Sequence, residues 1–196
     1  MKAHDLGNRF RRKRMQRFLE LLEPLRTRPI RILDLGGTAA YWHALPGLYG
    51  DGSVEITIVN LGQREFDDSN LKVRHGDARE LPQFADNSFD VVHSNSVIEH
   101  VGLREDMQSM AGEVCRLAPR YFVQTPNYWF PVEPHYKLPL IQFLPSAVRS
   151  RIRNKVWPGQ SIELIGARQL RELFPDATIE RERFAGLTKS LIAVKG

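Results

Sequence analysis

The residues from Arg31 to Tyr41, which read RILDLGGTAAY, restrict the fold more than any other part of the chain. A short run of apolar, β-type residues leads to Asp34 and then to Gly36 and Gly37, and a helix-compatible stretch follows. A strand, a glycine turn and a helix N-terminus in this order form a nucleotide-type pocket. The glycines let a ligand approach the backbone, and free N–H groups attract its anionic end.

The rest of the chain alternates between strand-like and helix-like segments. Strands are predicted at 30–35, 54–61, 71–74, 89–94, 120–125, 178–184 and 188–194. Helical periodicity marks a basic amphipathic segment within residues 1–28, a stripe at 103–118 that stops at Pro119, and residues 167–174. The sequence therefore predicts one α/β domain over residues 1–196. It has a doubly wound, seven-stranded, mostly parallel sheet, an antiparallel last strand and a helical insertion after strand 5.

Composition and charge narrow the function classes. A single cysteine, Cys115, excludes an internal disulfide framework and a cysteine-based zinc site. No apolar run approaches the roughly 18 residues of a membrane span, so we expect a cytoplasmic protein. The net charge of +5 is concentrated in residues 9–17 and 149–155. Such patches bind phosphates or an anionic membrane surface, or they are a solvated helix face, and both readings stay open.

Two further motifs carry a family resemblance. They are GDARELPQFADNSFDVVHSNSVIEHV at 76–101 and EVCRLAPRYFVQTPN at 113–127. With the glycine turn, they make the chain similar to class I S-adenosylmethionine-dependent methyltransferases with a small type 11-like domain, over residues 28–125 and 163–196. The resemblance implies S-adenosylmethionine as the cofactor.

The resemblance also implies a set of cofactor-binding residues. The glycine turn would hold the methionine part of the cofactor, and the end of the second strand would hold the ribose. The GDA motif would bind the adenine, and the fourth strand would end at the sheet edge beside the ligand. The implied residues are Asp34, Gly36, Gly37, Thr38, Asn60, Leu61, Asp77, Ala78, Ser94 and Asn95.

The chain departs from the family pattern at two places. Thr38 and Ala40 stand where two later glycines are usual, and Asn60 stands where an acid usually binds the ribose hydroxyls. One alternative is therefore a Rossmann-like domain that binds or scaffolds without catalysis. A nicotinamide-dependent enzyme would need the full glycine spacing and an acid about 20 residues later.

Histidines are the candidate bases for methyl transfer to a hydroxyl. His135 lies in the insertion after the fifth strand, and His100 precedes the 103–118 helix; we select these two as candidate catalytic residues. His93 is interpreted as a packed strand residue. Since the end of the fourth strand reads SNSV, without the Asn-Pro-Pro-aromatic motif of nitrogen-modifying relatives, oxygen is the expected acceptor atom.

The same histidines also suggest a metal-dependent alternative. Glu99, His100 and His135 resemble three of the four ligands of plant-type small-RNA 2′-O-methyltransferases, but Ser96 stands where the first glutamate should be. The loss of one carboxylate weakens a hard-cation site, so no metal site is predicted.

The insertion at 128–160 is the most individual segment. It opens with three aromatic residues and contains five basic residues against one acid. It is interpreted as a lid over the acceptor, with an interfacial lipid-binding element or a purely packing role as alternatives. The predicted activity is O-methylation of a small-molecule, sugar or lipid-linked acceptor. In one interpretation the protein is peripheral to a membrane. Nucleic acid is not expected as a partner, although RNA ribose methylation remains the alternative enzyme activity.

Overall fold

The computed structural model describes residues 3–25, 29–43, 52–133, 138–145, 148–149, 151–152 and 162–196. Its helices are α1 (Ala3–Leu22), α2 (Ala39–His43), α3 (Arg104–Leu117) and α4 (Ala167–Leu173), with short 3-10 turns at Glu23–Leu25, Ile98–His100 and Ile141–Phe143. The strands are β1 (Ile30–Leu35), β2 (Val54–Asn60), β3 (Phe66–Asp68), β4 (Leu71–His75), β5 (Val91–Asn95), β6 (Arg120–Pro126), β7 (Val132–Glu133), β8 (Leu138–Pro139), β9 (Thr178–Phe184) and β10 (Leu187–Lys195).

The main sheet confirms the predicted α/β fold with one correction. Its strand order is β3-β4-β2-β1-β5-β6-β10-β9, with β4, β2, β1, β5 and β6 parallel and β10 antiparallel to both of its neighbours. The described sheet has eight strands, whereas seven were predicted, because β3 pairs antiparallel with β4 at the edge. All three β3 residues are exposed, so no apolar alternation marks this strand in the sequence.

The insertion after β6, predicted to be helical, also contains strands. Its described part contains the β7–β8 hairpin and the 3-10 turn at Ile141–Phe143 before a helical segment at 148–149 and 151–152.

The helices cover both faces of the sheet, as a doubly wound fold requires. On one face α3 buries Met107, Met110, Val114 and Leu117, and α4 adds Leu170 to the same core. The α3 stripe has helical spacing and ends before Pro119, as the sequence predicted.

On the other face, α1 packs through the Phe18 side chain. This ring is fully buried, with its centroid 4.8 Å from that of His93, 5.7 Å from Phe122 and 6.2 Å from Trp42. The N-terminal helix is therefore part of the core rather than an appendage.

Two arginines of the basic stretch fix α1 to the antiparallel edge of the sheet. Arg14 Nε lies 3.0 Å from Glu182 Oε1 on β9, and Arg17 Nη2 lies 2.7 Å from Glu180 Oε1. The Arg14–Glu182 side chains are only 11% and 9% exposed, so this pair is largely desolvated. Part of the basic run thus has a structural role that neither reading of the charge pattern included.

We expect Phe18→Ala to lower the free energy of unfolding by about 3–5 kcal/mol, because it opens a cavity between α1 and the sheet. Urea denaturation measures this effect. The control Phe66→Ala removes an exposed ring on β3 and should change stability by less than about 0.5 kcal/mol. A Phe18→Ala cost as small as that of the control would contradict the packing of α1.

Candidate functional site

Glycine is sterically required at positions 36 and 37 of the turn after β1. Gly36 has φ of +76°, and a Cβ there would lie 2.5 Å from Val97 Cγ2. A Cβ on Gly37 would lie 1.7 Å from Asp34 Oδ2. The backbone therefore passes between β1 and the residues after β5 at a distance that only glycine allows.

Asp34 is the buried centre of this turn. Its Oδ2 accepts a hydrogen bond from Trp42 Nε1 at 2.6 Å, and its Oδ1 lies 2.8 Å from His93 Nδ1. The exposed fractions of Asp34 and His93 are 1% and 3%. One carboxylate thus joins β1, α2 and β5 directly below the turn.

Asn60 supports the same turn from β2. Its Nδ2 donates to the carbonyl oxygens of Gly36 and Gly37 at 3.2 and 3.0 Å, and its Oδ1 accepts from Gly62 N–H. Gln63 Nε2 also donates to Gly37 O, at 2.8 Å. The Asn60 amide thus holds the glycine turn, and its assignment to the ribose stays a prediction from the resemblance.

Two cavities meet at Gly36, at the carboxyl ends of the parallel strands. The smaller, of about 600 Å³, is lined by Asn60, Leu61, Asp77, Ala78, Val97 and His100 among others. The larger, of about 1100 Å³, is lined by Asp34, Gly37, Thr38, Tyr41, His93 and Asn95, and by the α1 residues Arg11, Arg12, Met15, Gln16 and Leu19.

The predicted site residues are distributed over these cavities with two exceptions. Ser94 lines neither cavity; it is fully buried, and its hydroxyl donates to Leu35 O at 3.3 Å. His135 lies outside the described residues. His100 lies on the smaller cavity, beside Val101 and Gly102.

Asp77 lies in the smaller cavity and is ion-paired. Arg79 Nη2 lies 2.6 Å from Asp77 Oδ2, and Arg79 Nη1 donates to Asp106 Oδ1 at 2.8 Å. Hydrogen bonding to the guanidinium lowers the pKa of the Asp77 carboxyl. The carboxylate stays ionised and keeps lone pairs that can accept a further hydrogen bond from a ligand.

A polar network closes the sheet edge beside the larger cavity. Arg14 Nη1 donates to Asn95 Oδ1 at 2.6 Å and to Gln124 Oε1 at 2.7 Å. Ser96, which has φ of +58°, donates from its hydroxyl to the same Gln124 oxygen at 2.9 Å. Strained backbone of this kind concentrates at functional sites.

Sequence reasoning missed two residues of the site. The strand pattern around His93 indicates a packed residue, whereas the structure pairs this histidine with Asp34, 59 positions away in the sequence. Arg14 is one of the six basic residues among the nine residues 9–17, and nothing in the sequence distinguishes it from its basic neighbours.

The residues present fit an adenosyl group with an amino-acid tail. The smaller cavity offers the apolar Leu61 and Val97 and the Asp77 carboxylate, which suit a purine with an exocyclic amine. The larger cavity begins at the turn, where Gly37 and Thr38 leave room for the tail. The fit lacks the usual ribose carboxylate.

The described residues contain neither a metal-binding cluster nor a membrane-spanning helix. Within the described ranges, no group of three or more His, Cys, Asp or Glu side chains is arranged to hold a metal ion. Of the helices that the structure describes, none has both the length and the apolar character needed to cross a membrane.

Comparisons of sequence connect the chain with known proteins. The model of the Methyltransferase domain family matches residues 49–119. Two uncharacterised proteins of Mycobacterium tuberculosis, from strains CDC 1551 and H37Rv, are each 37% identical over 51 residues. That match spans 26% of this chain and only 17% of those relatives.

Comparisons of structure extend over nearly the whole chain. A chain from the complex of the Haloferax volcanii Trm112 methyltransferase activator with a proposed methyltransferase has a TM-score of 0.61 and 17% identity, covering 98% of this chain and 92% of that one. An S-adenosylmethionine-dependent methyltransferase of Mesorhizobium loti has a TM-score of 0.59 and 14% identity, covering 86% and 91%. Magnesium protoporphyrin IX methyltransferase of Synechocystis, with bound SAH, has a TM-score of 0.56 and 14% identity, covering 95% and 84%. These similarities establish the shared fold.

We expect Arg79→Gln to raise the pKa of Asp77 towards the ordinary aspartate value of about 3.9, because the guanidinium that lowers it is lost. A folded-state pKa below the unfolded value stabilises the fold above the unfolded pKa. This stabilisation is lost as the pH falls through the lowered pKa. Carbon-13 NMR titration of the carboxyl groups measures the shift.

The matched control is Arg74→Gln, which removes the guanidinium that pairs with Asp67 on β3. It should raise the pKa of Asp67 and leave that of Asp77 unchanged. An Asp77 pKa that is the same with and without Arg79 would contradict this ion pair.

Proposed function

We propose that this class I S-adenosylmethionine-dependent methyltransferase domain transfers a methyl group to an oxygen atom of a small-molecule, sugar or lipid-linked acceptor. The observation that carries the proposal is the pair of cavities that meet at Gly36. One has the size and lining for adenosine, and the other adds room for the methionine tail and an acceptor.

S-adenosylmethionine, when bound, supplies an electrophilic methyl group on a sulfonium and leaves as the thioether. The chain's own contribution is then to bind, to align and to remove a proton. In this proposal Asp77 and Leu61 hold the adenosine end, and Gly36 and Gly37 admit the tail past the turn.

The acceptor hydroxyl needs a base, and the larger cavity contains few candidates. The guanidinium groups of Arg11 and Arg12 are hydrogen-bond donors with no acceptor atom. Burial, with Asp34 nearby, raises the pKa of the Tyr41 hydroxyl far above neutral, so Tyr41 stays protonated. Among the described residues that line this cavity, His93 is the histidine, and imidazole is the side chain that most often acts as a general base.

The surroundings of His93 suit this role. Asp34 accepts from Nδ1, which fixes the tautomer in which Nε2 carries the lone pair. The ring is stacked against Phe122, with an interplanar angle of 7°, and against Tyr41, with an angle of 22°. No described residue hydrogen-bonds to Nε2. In the proposed step, His93 Nε2 takes the proton of the acceptor hydroxyl as the oxygen accepts the methyl group.

The two histidines selected from the sequence stay predictions. His100 lies on the smaller cavity, which this proposal assigns to adenosine, so its proposed role is at the cofactor rather than at the acceptor. His135 lies outside the described residues and remains a candidate from the sequence alone.

Calorimetric titration with S-adenosylmethionine and S-adenosylhomocysteine tests the cofactor site. We expect Asp77→Ala to weaken binding about 10- to 100-fold, since a charge-assisted hydrogen bond to the adenine is lost. Asp67→Ala, which removes the carboxylate of the similar ion pair on β3, should leave affinity unchanged. If the unmodified chain binds neither compound, the proposed function is overturned.

Transfer of tritiated methyl groups from S-adenosylmethionine into solvent extracts of small molecules and lipids tests the base. We expect His93→Gln to lower the rate about 100-fold or more while S-adenosylhomocysteine affinity changes less than about threefold. His75→Gln, at an exposed position on β4, is the control. Transfer by His93→Gln at the unmodified rate would contradict the role of His93.

A further inference from the structure

Exposed apolar side chains are concentrated in the first part of the insertion. Eleven large hydrophobic side chains are exposed in the described part of the chain, and six of them lie between residues 129 and 148. These six form what we call the insertion patch: Trp129, Val132, Leu140, Phe143, Leu144 and Val148. Trp129 is 68% exposed, which is unusual for a tryptophan and marks an interaction surface.

The insertion patch is a built surface rather than a loose loop. The ring of Tyr128 packs edge-on against Trp129 and Phe143, with centroids 5.1 and 5.5 Å away. The buried Gln142 side chain donates to the carbonyl oxygens of Tyr128 and Phe130 at 3.3 and 2.5 Å. These contacts hold the aromatic side chains in place although they face solvent.

Positive charge adjoins the insertion patch. Arg149 is half-buried, with Nη1 3.5 Å from Gln142 O, and Arg151 is exposed. By sequence, residues 128–160 contain five basic side chains and one acidic side chain. An apolar surface beside arginines matches the boundary between acyl chains and anionic headgroups.

A line of aromatic contacts connects this region to α1. Phe130 lies 6.4 Å from Phe184, which lies 6.1 Å from Phe10, and the Lys189 ammonium sits 4.1 Å above the Phe10 ring. Phe10 directly precedes Arg11 and Arg12, which line the larger cavity. These ring contacts connect Phe130, which directly follows Trp129 of the insertion patch, to α1, and α1 forms one wall of the proposed acceptor cavity.

We infer that the insertion patch docks on an anionic lipid surface, with Trp129 and Phe143 at the headgroup boundary and Arg149 and Arg151 against lipid phosphates. A second copy of the chain is a poorer occupant. In a twofold symmetric dimer the same patch would meet itself and bring these arginines close to one another. This inference goes beyond the proposed methyl transfer and does not depend on cofactor binding.

Co-sedimentation with vesicles of phosphatidylcholine and phosphatidylglycerol, in about a 3:1 ratio, tests the inference. We expect the unmodified chain to bind them and to bind vesicles of pure phosphatidylcholine much more weakly. Trp129→Ser and Phe143→Ser should each weaken binding by about tenfold. Arg149→Gln and Arg151→Gln should each weaken it by about fivefold and reduce its dependence on salt.

Phe66→Ser is the matched control, since Phe66 is 40% exposed and Phe143 is 43% exposed, but Phe66 lies on β3 at the far edge of the sheet. Its vesicle binding should equal that of the unmodified chain. Thermal unfolding and S-adenosylhomocysteine titration of each variant distinguish loss of the surface from loss of the fold. They also separate failure of the cofactor proposal from failure of lipid docking.

Three results would overturn the inference. The first is no binding of the unmodified chain to anionic vesicles. The second is equal losses for Phe66→Ser and Phe143→Ser in folded proteins. The third is a dimer in solution that Trp129→Ser and Phe143→Ser abolish, which would assign the insertion patch to a second copy.

Discussion

The buried carboxylate of Asp34 is the contact on which the rest of the site depends. It accepts from Trp42 on α2, pairs with His93 on β5, and occupies the space that a side chain at position 37 would need. A carboxyl group buried at this depth without hydrogen-bond partners would be strongly destabilising, so both of its partners are structurally required. The same contacts set the path of the glycine turn and fix the orientation of the His93 ring. Fold stability and the proposed chemistry therefore share one group.

The second constraint is the position of α1. Phe18 inserts among Trp42, His93 and Phe122, while Arg14 reaches both Glu182 and the sheet edge at Asn95. Through these contacts α1 forms a wall of the larger cavity. Any loosening of α1 would open the larger cavity and leave the Leu61–Asp77 side in place. This asymmetry matches the proposed division into a cofactor side and an acceptor side.

Local patterns predicted the parts of the fold that are locally determined. The apolar run before Gly36 and Gly37 and the helical spacing that ends before Pro119 are visible in the sequence itself, and the structure confirms β1 with its turn and α3. β3 was missed because its three exposed residues carry no pattern, and it forms by pairing with β4. The strand pattern around His93 correctly indicated burial, but the partner that gives this residue a proposed role lies 59 positions away. Likewise, the resemblance assigns Asn60 to the ribose, which stays a prediction, and the donation of its amide to the carbonyl oxygens of Gly36 and Gly37 is a contact that only the tertiary structure creates.

The proposed function requires that the two cavities at Gly36 form one adenosyl pocket. Amide chemical-shift mapping by NMR, with S-adenosylhomocysteine added to the nitrogen-15-labelled chain, tests it most directly. We expect shifts that include Gly36, Leu61, Ala78 and Asn95, and none at Gly52 and Asn70, which line a separate cavity beside β2. Shifts confined to one side of Gly36, or centred on the cavity beside β2, would contradict it.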